Sequence, residues 1–375
     1  MRQGRLGDFV DFAYGKALPE RDRKPGSVPV FGSAGNIGSH HLPLVEGPGV
    51  IVGRKGTVGA VHWSNEDFYP IDTTFYIVPK EDDLRLRYMF YLLNALPLRH
   101  MNTDVAVPGL NRKNALQLPV TIASPATQDH IVEILSAYDD LIENNRRRIQ
   151  LLEQSARLLY KEWFVHLRFP GHEHTQIING VPEGWEKGVV SDFYDTASGG
   201  TPSRKNPEFY GGTIRWVKTQ ELEDGFLFDT EEHITENAIK KSAAKLFPAN
   251  AVLIAMYGAT IGQVGVIVES STCNQACCAV MPKAEGTSYE HAFLFFLNNK
   301  EGLRNLGQGA AQKNISQQVI RAYEMVLPDK LVLNMFRINA GPFLRQIRTL
   351  HAMNQKLTKA RDLLLPKLMN REMAV

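Results

Sequence analysis

Three cysteines, all within Cys273–Cys278, are too few and too close together to form a disulfide framework. They point to reduced, packing thiols. No apolar run approaches the ~20 residues needed to cross a bilayer. The opening residues, MRQGRLGDFVDF, lack the apolar centre of a secretion signal, so the expected location is the cytoplasm. Neither sign of charge is in excess: 42 Lys and Arg face 40 Asp and Glu, leaving a net +2. That balance neither demands nor excludes nucleic acid, for which a local basic face is enough. What remains is ordinary globular composition, 43% hydrophobic and 22% charged, in a chain long enough for two or three domains.

Catalytic motifs are also missing. Gly53-Arg54-Lys55-Gly56-Thr57-Val58-Gly59 is glycine-rich but has no Gly-Lys-Ser/Thr opening a helix, so it is not a nucleotide P-loop. A nest of N–H groups meeting phosphate and a tight turn between strands are both open readings of it. Asn206-Pro207-Glu208-Phe209 carries Glu208 where amino-methyltransferases place a second proline, and no glycine-rich cofactor loop precedes it. His40-His41, His172-Glu173-His174 and the cysteines lack metal-ligand spacing. No Ser–His–Asp pattern has local support. The expectation is a chain with no catalytic residues, no metal and no cofactor of its own.

What the chain has is duplication. Gly56-Thr57-Val58-Gly59 returns as Ala259-Thr260-Ile261-Gly262, and IDTTFYIVPK (71–80) returns as NQACCAVMPK (274–283). Gly59 leads to Gly262 and Pro79 to Pro282, both 203 positions on. This period is far beyond the ~20–50 residues of a solenoid unit, so it implies two large similar modules. Strand-like runs Val50–Val52 and Phe75–Val78 lie among glycine turns, and a helix is expected near Leu84–Leu93, with its counterpart at His291–Leu297.

A long helical pattern closes each copy, near 131–168 and 343–370. The first is expected to open after Pro125 with Thr127 as N-cap. Its apolar seam reads Ile131, Ile134, Tyr138, Leu141, Asn145, Ile149, Leu152, Ala156, Leu159, Trp163. The second reads Phe343, Ile347, Leu350, Asn354, Leu357, Arg361, Leu364, Leu368. Both approximate a heptad, and each carries an asparagine of the kind that fixes register and partner. Two such helices predict an antiparallel coiled coil. The fold class expected is α+β: two similar mixed α/β recognition domains separated by two long antiparallel helices. The expected boundaries are 1–125 and 171–330 for the domains, and 126–170 and 331–375 for the helices.

Both modules also offer side chains suited to nucleic acid beside their glycine-rich loops. In the first these are Lys24, Arg54, Lys55, Thr57, Asn111, Arg112 and Lys113. In the second they are Ser203, Arg204, Lys205, Lys218, Thr219, Gln220, Tyr257, Thr260, Gln312, Lys313 and Asn314. Lys and Arg neutralise phosphates, while Arg, Asn, Gln, Ser and Thr can read base edges.

The closing run ARDLLLPKLM (360–369) resembles the last segment of type I restriction-modification specificity subunits. SGGTPSRKNPEFYGG (198–212), Pro182-Glu183-Gly184-Trp185 and LLYKEWF (158–164) resemble the same family's module starts and first spacer helix. The first helix departs from the second in having Lys161-Glu162-Trp163 where the second ends Pro-Lys-Leu. The resemblance implies two target-recognition domains, each reading one half of a split double-stranded DNA sequence. It also implies helices that dock two methyltransferase subunits; the candidate docking or coiled-coil positions are Tyr138, Leu141, Asn145, Ile149, Leu152, Leu159, Trp163, Ile347, Leu350, Asn354, Leu357, Leu364 and Leu368. S-adenosylmethionine and adenine methylation would belong to those partners. Up to two restriction subunits, using ATP and magnesium, would complete the complex. A helix of about 38 residues spans roughly 57 Å, against about 34 Å for a turn of DNA, a length suited to a spacer. Two other readings stay open: a catalytic DNA methyltransferase or nuclease chain, and a coiled-coil scaffold that binds no DNA.

Overall fold

The computed structural model describes residues 1–101, 109–307, 314–370 and 372. Its contacts divide the chain into two compact units: Met1–Glu143 with Gln355–Val375, and Asn144–Asn354. Gln312 and Lys313 lie outside the described residues.

In the first unit four antiparallel strands lie in the order Val10–Tyr14, Thr74–Pro79, Gly49–Gly53, Val61–Ser64. The β-branched run Val50-Ile51-Val52 forms a strand buried on both faces, because successive side chains point to opposite sides. Val50 and Val52 join a core with Phe12, Phe75, Ile77, Tyr88 and Leu92, whereas Ile51 joins Phe31 and Phe68 on the other face. A smaller sheet orders Gly35–His40, Val28–Gly32 and Tyr69–Pro70. The predicted short helix is present at Leu86–Ala95, packing Tyr88, Met89 and Leu92 inward.

The second unit repeats this plan with one more strand: Tyr194–Ser198, Cys277–Pro282, Val252–Ala255, Val264–Ile267, Gly225–Leu227. Val252 and Ile254 face one core and Leu253 and Ala255 the other. Tyr14 pairs with Phe75 as Ser198 pairs with Cys278, and Val10 pairs with Pro79 as Tyr194 pairs with Pro282. All three cysteine thiols are free and buried, with Cys273 and Cys277 in one core and Cys278 in the other. Burial pushes the Cys278 thiol up to about 12, as expected for packing thiols.

The long helices are Pro125–Tyr160 and Lys330–Met369. Thr127 does not cap the first. Ser124 does, its hydroxyl accepting from Thr127 N at 3.4 Å, with Pro125 at the first helical position, where its missing N–H costs nothing. The α-helix stops at Tyr160 and continues as one wide turn, Lys161–Val165, closed by His166 N donating to Lys161 O at 2.8 Å. The helix therefore ends before the expected boundary at residue 170.

Each helix contributes to both units' cores, and in each unit the two run antiparallel. In the first unit Asp139 meets Arg361 at 2.7 Å, and Ile131, Leu135 and Leu368 share its core. In the second, Asn145 Nδ2 donates to Asn354 Oδ1 at 2.9 Å, while Tyr160 and Trp163 pack on Phe336 at 6.2 and 5.7 Å between ring centroids. The seam needs one correction in its N-terminal half. Leu135 and Ile142 are buried at 0% and 3% exposure, whereas Leu141 is 36% exposed and Ile134 only half-buried. A straight α-helix with 3.6 residues per turn drifts off a strict heptad, and the aliphatic neighbours at 134/135 and 141/142 let the seam move by one.

Candidate nucleic-acid interface

In the glycine-rich loop of the first unit the N–H groups of Gly53, Arg54, Lys55, Val58 and Gly59 donate to backbone carbonyls, which makes it a hydrogen-bonded turn. Gly59 has φ 68°, and a Cβ there would stand 2.3 Å from the Leu98 carbonyl carbon, so only glycine fits. The same turn recurs in the second unit. Gly59 N donates to Gly53 O and Gly262 N to Ala255 O; Leu110 N donates to Arg54 O and Ile315 N to Met256 O. Lys55 bridges Gly109 as Tyr257 bridges Asn314. Met256 thus stands in the place of Arg54, and the second loop is one residue longer than its counterpart.

This turn brings distant candidates together. Arg54 lies over the Tyr14 ring at 5.0 Å and donates from Nη1 to Asp72 O at 3.1 Å. Arg112 lies over the same ring at 5.7 Å, donates from Nε to Phe12 O at 2.8 Å and pairs with Asp11. Asn111 caps the short helix Arg112–Leu116 by accepting from Asn114 N, which fixes the start of the segment carrying Arg112 and exposed Lys113. Lys55 and Thr57 are exposed on the turn. Lys24 sits apart, beyond the open end of the Val28–His40 hairpin, where its N–H meets His40 Nδ1 at 3.0 Å.

The second unit's cations are spent differently. Arg204 makes a two-pronged pair with Glu232 at 2.6 and 2.9 Å and lies over Tyr210 at 4.2 Å and Trp216 at 5.4 Å. Lys218 Nζ meets Glu231 at 2.5 Å and Glu232 at 3.1 Å. The Arg204 hydrogen bonds, opposed by partial desolvation and aided by Lys218, hold the Glu232 carboxyl down to about 2. These two cations order a loop before they can meet a phosphate. Lys205, Ser203 and Gln220 are exposed, while Thr219 lies half-buried in the turn Thr219–Glu221. Thr260 Oγ1 donates to Tyr257 O at 2.9 Å, beside exposed Asn314.

The candidate docking or coiled-coil positions fall largely inside the units. Asn145, Ile149, Trp163, Ile347, Leu350 and Leu368 are buried, and Leu152, Leu159 and Leu364 pack against the cores. Tyr138, Asn354 and Leu357 are half-buried. Leu141 is exposed at 36%. Beyond these positions the helices also expose apolar side chains that include Leu151 at 62%, Leu158 at 60% and Leu363 at 59%. The heptad reading missed them because it followed the apolar stripe that folding consumes.

Sequence reasoning also missed Tyr14, 51% exposed at a strand end, and Asp139, which binds Arg87 (2.9 Å), Arg361 and the Tyr91 hydroxyl (2.7 Å). Asp139 lies one residue from a seam position, and its three partners are remote in sequence. Among the described residues no group of three or more His, Cys, Asp or Glu could hold a metal. Among the described residues no helix is long and apolar enough to cross a membrane.

One hydrogen-bonded frame built twice, with different polar side chains on each copy, defines a duplicated recognition protein. The chain belongs to the family described as type I restriction modification DNA specificity domain, which it matches over residues 1–154 and 182–331. It is similar to the type I restriction enzyme MjaIX specificity subunit of Methanocaldococcus jannaschii, 24% identical over 80% of this chain and 71% of that one. It is similar also to the HindI specificity subunit of Haemophilus influenzae, 24% identical over 82% of each. The fold matches the crystal structure of the type I restriction-modification S subunit from M. genitalium, with a TM-score of 0.68 and 13% identity over 98% of this chain and 96% of that one.

Proposed function

We propose that this chain is the DNA sequence-specificity subunit of a type I restriction-modification complex, each recognition domain reading one half of a bipartite target. The observation that carries this is the repeated frame. The turn, the strand register and the bridges recur at equivalent positions, while Tyr14, Arg54 and Arg112 give way to Ser198, Met256 and Gln317. A constant frame with exchanged polar side chains suits two readers of different sequences.

In this reading the chain has no chemistry or cofactor of its own. Two methyltransferase subunits bind S-adenosylmethionine and methylate adenine N6, and up to two restriction subunits use ATP and magnesium. The exposed leucines of the long helices, Leu151 and Leu158 one heptad apart, are suited to docking the methyltransferase subunits. The complex works in the cytoplasm.

Exchange of residues 1–125 for those of a relative with another specificity tests the proposal. Mapping methylated adenines in cells carrying the hybrid and its partner should show one half of the target changed and the other kept. A target altered in both halves, or in neither, refutes modular reading.

A further inference from the structure

We infer that Tyr14, Arg54 and Arg112 form a reading head for guanine in the half-site of the first domain, an inference that rests on the DNA-reading function proposed above. Arg54 lies over the Tyr14 ring, and Tyr14 stands edge-on to Phe75 at 5.0 Å between centroids, so the guanidinium rides on a ring braced by the core. Arg112, at the start of the helix Arg112–Leu116, lies over the same ring and is tied to Phe12 O and Asp11 of the strand that carries Tyr14. Arg54 itself is bound only at Nη1. Among the described residues its Nε and Nη2, and the Tyr14 hydroxyl, have no hydrogen-bond partner, and no carboxylate pairs with it. Arg204 and Lys218, by contrast, are neutralised by Glu231 and Glu232.

The comparison between the two copies separates base reading from phosphate binding. A phosphate contact would serve both copies equally, because the backbone is the same at every sequence. Yet all three members change together in the second unit. Met256 at the place of Arg54 is buried, and Gln317 spends its amide on Ser198 and Thr196, with Nε2 donating to Thr196 O at 2.9 Å as Arg112 donates to Phe12 O. The frame contact is kept and the cationic, aromatic surface is lost. A planar guanidinium held in one orientation matches the paired O6 and N7 acceptors on the major-groove edge of guanine. Arg54 is thus the reading residue, Tyr14 its platform, and Arg112 a positioning residue.

The test uses the full chain assembled with its methyltransferase subunits, selecting duplexes from a randomised pool. Wild type should select guanine at one position of one half-site. Arg54→Met, which installs the residue of the second copy, should reduce that preference roughly tenfold or more and leave the other half-site intact, which reports a folded complex. Tyr14→Ser should behave like Arg54→Met, and Tyr14→Phe, which keeps the ring, like wild type. An unchanged selected sequence in Arg54→Met overturns the inference. So does loss of preference in both half-sites, or a uniform weakening with a shallower salt dependence, the mark of a phosphate contact. Should wild type itself select no bipartite sequence, the proposed function fails rather than this assignment alone.

Discussion

Arg54-Lys55 and Arg204-Lys205 are the same dipeptide in the sequence, each beside a glycine-rich stretch, and their surroundings give the two arginines different work. Arg54 rests on an exposed ring without a carboxylate, whereas Arg204 is clamped by Glu232. No local pattern distinguishes them, because Glu232 is remote in sequence and only the sheet brings it near. His291 makes a second residue-scale case. It is fully buried beside the Tyr194 hydroxyl, 2.9 Å from Nδ1, and burial pushes its pKa down from 6.5 to about 4. An unfolded chain therefore binds a proton between about pH 6.5 and 4 that the folded chain refuses. Stability is full above about pH 6.5 and falls by up to about 3 kcal/mol as the pH drops to about 4. Melting temperatures at pH 7.5 and 5 should fall less for His291→Phe than for wild type. Equal falls in both would show that this imidazole does not carry the effect.

The long helices teach a lesson at the scale of the element. Their periodicity is legible because burial demands it, but the stripe it marks is consumed by folding. Asn145 is 1% exposed and donates to Asn354, so the asparagines expected to set register do meet. Asn145→Leu should cost about 1 kcal/mol, the net worth of the hydrogen bond from its buried amide to half-buried Asn354. The double variant with Asn354→Leu should recover part of that loss and relax the helix register. Chemical denaturation of the two variants decides it: a double variant less stable than the single would mean that the pair contributes net stability rather than specificity. Asp139 and Arg361 serve the same end in the first unit, joining the two helices through a carboxylate that also holds Arg87 and Tyr91.

At the scale of the whole molecule the duplication governs. Two units share strand register, the turn at Gly53–Gly59 and its counterpart, and the bridge behind it, while the second adds a strand and lengthens the loop by one residue. If each unit reads one half of the target, exchanging residues 182–331 should change the half-site left untouched by exchange of 1–125. Methylation mapping of the two reciprocal hybrids checks this, and hybrids that alter the same half would contradict it. The chain purified alone should show no methyl transfer from S-adenosylmethionine to DNA, and measurable transfer by it would favour a catalytic reading.

Repetition and period are properties of order along the chain, so the sequence by itself determined the two modules, the strands through Val50–Val52 and Phe75–Val78, the matching pair of short helices and the two long ones. The alternation through Val50-Ile51-Val52 and the matching asparagines needed no tertiary information, because local geometry turns spacing into a face. Tertiary structure alone decided which polar residues are committed. It placed Tyr14, Arg54 and Arg112 on one ring, paired Arg204 with Glu232, and moved the seam from Leu141 to Ile142. Those outcomes depend on distances between residues tens of positions apart and on small shifts in helical phase. Residue type can suggest a contact, but only the packed chain sets which partner is within reach.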